Sequence, residues 1–107
     1  MTDWSVDLVE SAVDDFRALG SVEGRVVLEA AISALSKDPL GETRNVKTLR
    51  PNPVAQRELR LHGKYRVLFN VEREPRLVTI VLAGEKRGNQ LIVRGRRFTA
   101  HESDSTE

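Results

Sequence analysis

An α+β fold, with a pair of helices laid on one face of an antiparallel sheet, is what this sequence predicts. Three observations carry it. Apolar residues alternate with period 2 near the N-terminus, two consecutive segments then repeat apolar residues at helical spacing, and alternating or wholly apolar stretches follow from residue 57 onward. The 107 residues amount to one domain, which we place at 1–98, with 99–107 as a tail.

The elements follow in order. Trp4, Val6 and Leu8 alternate with Ser5 and Asp7, as in a half-buried strand. Ser11 then reads as a helix cap with Asp14 three residues on, ahead of the stripe Ala12, Val13, Phe16 and Leu19. Gly20 ends that helix. Ser21 caps a second one bearing Val22, Val26, Leu28, Ile32 and Leu35, stopped by Lys37-Asp38-Pro39. The two form an αα-hairpin. Residues 40–53 are turn-rich and polar apart from a short Val46-to-Leu49 piece.

Strands dominate the rest. Arg57, Leu59 and Leu61 share one face, and Glu58, Arg60 and His62 the other. Gly63 makes a turn, after which Tyr65, Val67, Phe69 and Val71 face one side, with Arg66, Leu68 and Asn70 opposite. A second turn contains Pro75. Leu77 to Ala83 is apolar on both faces, as suits a central strand. The loop Gly84 to Gln90 leads to a short strand, Leu91 to Val93, and the polar, acidic tail is expected to be disordered. The helix stripes and the Tyr65/Val67/Phe69 face should meet as the core. The opposite face is left to Arg60 and Arg66.

Composition excludes several classes. With no cysteine there is neither a disulfide scaffold nor a Cys-based zinc site, and two histidines are too few for a ligand cluster, so no metal is expected. No apolar run is long enough to span a bilayer, and the N-terminus lacks the basic and apolar regions of a signal peptide. The expectation is a cytoplasmic protein without a membrane partner. The net charge of +1 hides an asymmetry. Residues 1–42 carry 3 Lys/Arg against 9 Asp/Glu, a net of −6, whereas 43–97 carry 14 against 4, a net of +10. The last ten residues add −3. Such a basic half-chain points to a polyanion or an acidic partner.

The hairpin at Gly63 sharpens this. If His62-Gly63-Lys64 is its loop, Leu61 pairs with Tyr65 and Arg60 sits opposite Arg66. Like charges directly opposite on a sheet are destabilising, and a phosphate held by both guanidinium groups would remove the conflict. Glu58 offers the alternative, a structural ion pair with one arginine. Lys86 and Arg87 read either as a solvated turn or as a basic loop beside the arginine face; without a terminal GK[ST] they are no phosphate loop of the nucleotide-binding kind. Arg94, Arg96 and Arg97 read as surface charge, and His101 is given no role.

These residues resemble the RelE/ParE superfamily of toxins from type II toxin–antitoxin pairs, nearer its RelE-like branch. The likeness spans about residues 4–93. It includes Trp4–Leu8, Arg17-Ala18-Leu19-Gly20-Ser21, Leu35-Ser36-Lys37-Asp38-Pro39, Val46-Lys47-Thr48-Leu49, Arg57-Glu58-Leu59-Arg60, Tyr65-Arg66-Val67-Leu68-Phe69 and Gly84-Glu85-Lys86-Arg87. The resemblance implies a RelE-like β-α-α-β-β-β(-β) fold. It also implies a ribosome-dependent endoribonuclease that cuts mRNA without metal or cofactor and so stops translation. In such a reaction the ribose 2′-hydroxyl attacks the adjacent phosphorus. Arg66 and Arg87 match the family's phosphate-stabilising arginines, and Arg57, Arg60, Lys64 and Lys86 would bind RNA.

The sequence also departs from the pattern. Gln56 and Glu58 stand where RelE-like members carry lysines, and Val93 stands where they carry a tyrosine. Glu58 or His62 is then the expected base, because other superfamily members use Glu or His. ParE-like members share the fold but inhibit DNA gyrase as non-enzymatic binding modules, which is the alternative function. A relative that only binds its antitoxin is a third. Every branch implies a cognate antitoxin as partner; the RelE-like branch adds the ribosome and mRNA.

Overall fold

A computed structural model describes residues 3–98; the tail expected from 99 onward lies outside the described residues, as does His101. Strand β1 (Ser5–Leu8) is followed by helices α1 (Glu10–Ala18) and α2 (Ser21–Lys37). Six strands follow: β2 (Val46–Thr48), β3 (Arg57–Leu61), β4 (Tyr65–Glu72), β5 (Leu77–Arg87), β6 (Gln90–Val93) and β7 (Arg96–Phe98). The sheet runs β2-β3-β4-β5-β6-β7, all antiparallel neighbours, and β1 joins it parallel to β5. β5 is long enough to take two partners on one edge. Residues 77–80 pair with β1 and residues 85–87 with β6. No helix among the described residues is long and apolar enough to cross a membrane.

The core forms where expected, between the helices and one sheet face. Ala12, Phe16, Val27, Ala31 and Leu35 pack on Leu59, Tyr65, Val67, Phe69, Val78 and Ile80. A smaller apolar cluster of Ala55, Leu68, Leu82 and Val93 lies on the other face, so that face is not left to arginines alone. Residues 49–56 help cover it: Leu49 and Val54 pack on the cluster, the Asn70 side chain accepts from the Gln56 N–H, and the Gln56 side chain accepts from the Val71 N–H.

Several local expectations are corrected. Neither serine caps its helix. α1 starts at Glu10 with Val9 as its cap, α2 starts at Ser21 with Gly20 as its cap, and neither cap supplies a side-chain hydrogen bond. The buried stripe of α2 is Gly24, Val27, Ala31 and Leu35, whereas Val22, Val26 and Ile32 are exposed. The reason is steric. A Cβ on Gly24 would collide with the carbonyl oxygen of Phe16, so small residues face α1 and draw the helices together. Gly24→Ala should therefore cost about 2 kcal/mol, as overpacking against backbone does, and a urea titration would read it as a lowered midpoint at unchanged slope.

The expected loop 84–90 is mostly strand. β5 runs through Arg87 and only Gly88 and Asn89 turn. β7 adds a strand beyond the expected last one, Leu91 to Val93. Arg94 and Gly95, with φ of 51° and 79°, form a tight two-residue turn that returns the chain onto β6. Finally, β4 and β5 slip register between Leu68 and Phe69, whose partners are Leu82 and Ile80, leaving Val81 as the extra residue of a bulge. That bulge reverses the alternation of β5 beyond it. Ala83 joins the helix-side core, and Leu82 joins the cluster opposite.

Candidate phosphate-binding face

The Gly63 hairpin positions the site. His62 and Gly63 take φ of 50° and 77°, Leu61 pairs with Tyr65, and Arg60 lies directly opposite Arg66 as expected. Arg66 is only 6% exposed. Its guanidinium donates to the carbonyl oxygens of Gly63 and Tyr65, both at a long 3.2 Å. Burial lowers its pKa first, the like charge of Arg60 lowers it further, and Glu58 pulls the other way. Among the described residues neither Arg60 nor Arg66 has a carboxylate within ion-pair distance. Glu58 faces the same side but pairs with Lys47, opposite it on β2, at 3.8 Å.

Beside Arg66 on the next strand stands Gly84, where a Cβ would lie 2.5 Å from the carbonyl oxygen of Ile92. The glycine lets β6 approach and presents no side chain of its own toward Arg66. Alternation past the bulge puts Lys86 on the same face, and the β6–β7 register adds Arg96 beside Val93. The open face thus gathers Lys47, Arg60, Arg66, Lys86 and Arg96 with the carboxylate of Glu58, on an apolar floor of Leu68, Leu82 and Val93.

Four of the eight residues singled out from the sequence therefore meet here: Glu58, Arg60, Arg66 and Lys86. The other four do not. Arg57 faces the helix side, 9% exposed, and is committed to Thr48, the Gly41 carbonyl and Glu42. Arg87 falls on the face of Glu85, 3.4 Å from its carboxylate, because the bulge exchanges the sides of residues 86 and 87. Lys64 pairs with Glu85 at 3.7 Å and lies over the Tyr65 ring. His62 bends in the turn toward Tyr65, edge to face with ring centres 6.5 Å apart. Those three belong to a polar cluster on the helix side, where the Tyr65 hydroxyl donates to Glu23 of α2. That bond to a carboxylate, and burial after it, raise the Tyr65 pKa.

Two members of the face were missed, Lys47 and Arg96. Alternation along Val46-Lys47-Thr48 carried the signal for the first, and the Arg94-Gly95 turn for the second. No group of three or more His, Asp or Glu side chains among the described residues is arranged to hold a metal ion.

No family model matches the chain, and no curated protein matches its sequence. Among solved structures, a chain of the RelBE2 toxin–antitoxin complex from Mycobacterium tuberculosis matches it with a TM-score of 0.68 at 28% identity. The match covers 80% of this chain and 94% of that one. Joined to the motifs and their order, this likeness supports a RelE-like toxin of a type II toxin–antitoxin system.

Proposed function

We propose that this chain is the toxin of such a pair and acts as a metal-free endoribonuclease on ribosome-bound mRNA. One observation carries the reading. Arg60 and Arg66 face each other across a hairpin and, among the described residues, no carboxylate lies within ion-pair distance of either, although Glu58 is near enough to influence Arg66. A buried cation without a counter-ion suits a site completed by an anion, and two guanidinium groups match phosphate oxygens. In the reaction, Glu58 accepts the proton of the ribose 2′-hydroxyl. The 2′-oxygen bonds to phosphorus, the bond from phosphorus to the 5′-oxygen breaks, and that oxygen takes a proton from water. Arg60 and Arg66 hold the charge that builds on the phosphorane. Of the two candidate bases, Glu58 shares this face and His62 does not. Ribosome dependence follows from the resemblance. The partner that silences the toxin is an antitoxin whose acidic segment covers the basic face.

The test is to add purified toxin to translating ribosomes, map mRNA 5′ ends, and assay gyrase supercoiling in parallel. New 5′-hydroxyl ends within ribosome-bound message, with supercoiling intact, are expected. Intact message with supercoiling lost would establish the gyrase-inhibitor alternative instead.

A further inference from the structure

We infer that Lys47 is a positioning residue that keeps the Glu58 carboxylate off the two arginines; the inference rests on the nuclease reading above. Glu58 has three cations within reach on one face: Lys47 directly across β2–β3, Arg60 two residues along its own strand, and Arg66 on the diagonal. Pairing with either guanidinium would place a fixed negative charge where the substrate phosphate belongs. It would also remove the base from the 2′-hydroxyl. The structure shows Glu58 paired with Lys47 instead, at 3.8 Å, its side chain 15% exposed and so confined to few arrangements. Lys47 lies on the edge strand, and its side chain is 55% exposed. An exposed ammonium on a flexible stem holds the carboxylate without burying it in a strong pair.

This role differs from a simple phosphate contact in one measurable way: the effect of Lys47 on RNA binding passes through Glu58. A double-mutant cycle therefore reads it, using an oligoribonucleotide with 2′-O-methyl groups as a probe that binds but cannot be cut. In the otherwise unaltered chain, Lys47→Met should weaken probe binding by about tenfold, because Glu58 then turns to the arginines. In a Glu58→Gln background the same change should weaken binding by less than about twofold, since no carboxylate remains to redirect. Lys47→Arg should bind as the parent does. An exposed edge position tolerates these changes, and unchanged melting curves would show it.

Tenfold weakening in both backgrounds would make Lys47 a plain phosphate contact, and no weakening in either would make it a bystander; each overturns the inference. Cleavage of ribosome-bound mRNA by the parent chain is followed alongside. A coupled cycle without cleavage removes the nuclease reading while the Lys47–Glu58 link stands. Cleavage with an additive cycle does the reverse.

Discussion

Replacing Arg66 with methionine should cut cleavage by about 10²- to 10³-fold and raise the melting temperature together. Arg66 is 6% exposed, its hydrogen bonds are long, and its partner across the strand is another arginine. Its lowered pKa has burial as its main cause and Arg60 as the second. In the free protein these are costs of keeping a charge in place. Methionine of similar reach would lie on the floor formed by Leu68, Leu82 and Val93 and relieve both, a gain of about 1 kcal/mol. For a domain of this size that corresponds to roughly 5 °C in Tm. The same change removes a preorganised cation from the phosphate, for which a loss of about 10²- to 10³-fold in turnover is typical. Arg66→Lys keeps the charge but not the two-pronged geometry, and should fall between the two. Calorimetry with single-turnover cleavage on stalled ribosomes checks the pair. A lower Tm for Arg66→Met would mean that the arginine serves the fold rather than the site.

What could be read from the chain divides along a physical line. The Arg60–Arg66 pairing was legible because a short turn and a period of 2 together fix the register of a hairpin. The core face Tyr65/Val67/Phe69 was legible for the same reason. What escaped depends on backbone events with no side-chain periodicity to announce them. The bulge at Val81 exchanges the sides of Lys86 and Arg87, so the arginine expected at the phosphate instead meets Glu85. The phase of α2 is set by the close approach of Gly24 to α1, which overrides the more hydrophobic Val22/Val26/Ile32 side. Lys47 reaches Glu58 only because β2 pairs with β3, a contact between segments separated by a polar loop. The charge asymmetry of the halves announced a basic face; strand pairing decided which cations it holds.

The second large effect concerns Asp15 of α1, which the structure buries to 2% exposure. On the edge of β5, β1 pairs only through Ile80 and β6 only from Glu85. The N–H of Ala83 falls in the gap between them, and Asp15 reaches from α1 to accept it at 3.1 Å. Its other oxygen lies 2.8 Å from the Arg94 Nε, as an ion pair rather than an aligned hydrogen bond. Asp15→Ala would leave a buried N–H without a partner and a void beside it, a loss of about 3 kcal/mol, or roughly 10–20 °C in Tm. Asp15→Asn should behave in the opposite way. Burial raises the Asp15 pKa above its ordinary value, and the Ala83 hydrogen bond and Arg94 offset this only in part. The folded chain therefore holds the proton more tightly than the unfolded one. This stabilisation is complete below the unfolded carboxyl's pKa and is lost as pH rises through the folded one. At pH 7 the charged form is a cost that asparagine avoids, while its amide oxygen still accepts from Ala83. Arg94, about half exposed, is left to water. Asp15→Asn should thus melt above the parent at pH 7, with the gap closing as the pH falls toward the carboxyl range. If Asp15→Asn melts as low as Asp15→Ala at pH 7, the Arg94 ion pair, not the satisfied N–H, is what holds α1 to the sheet.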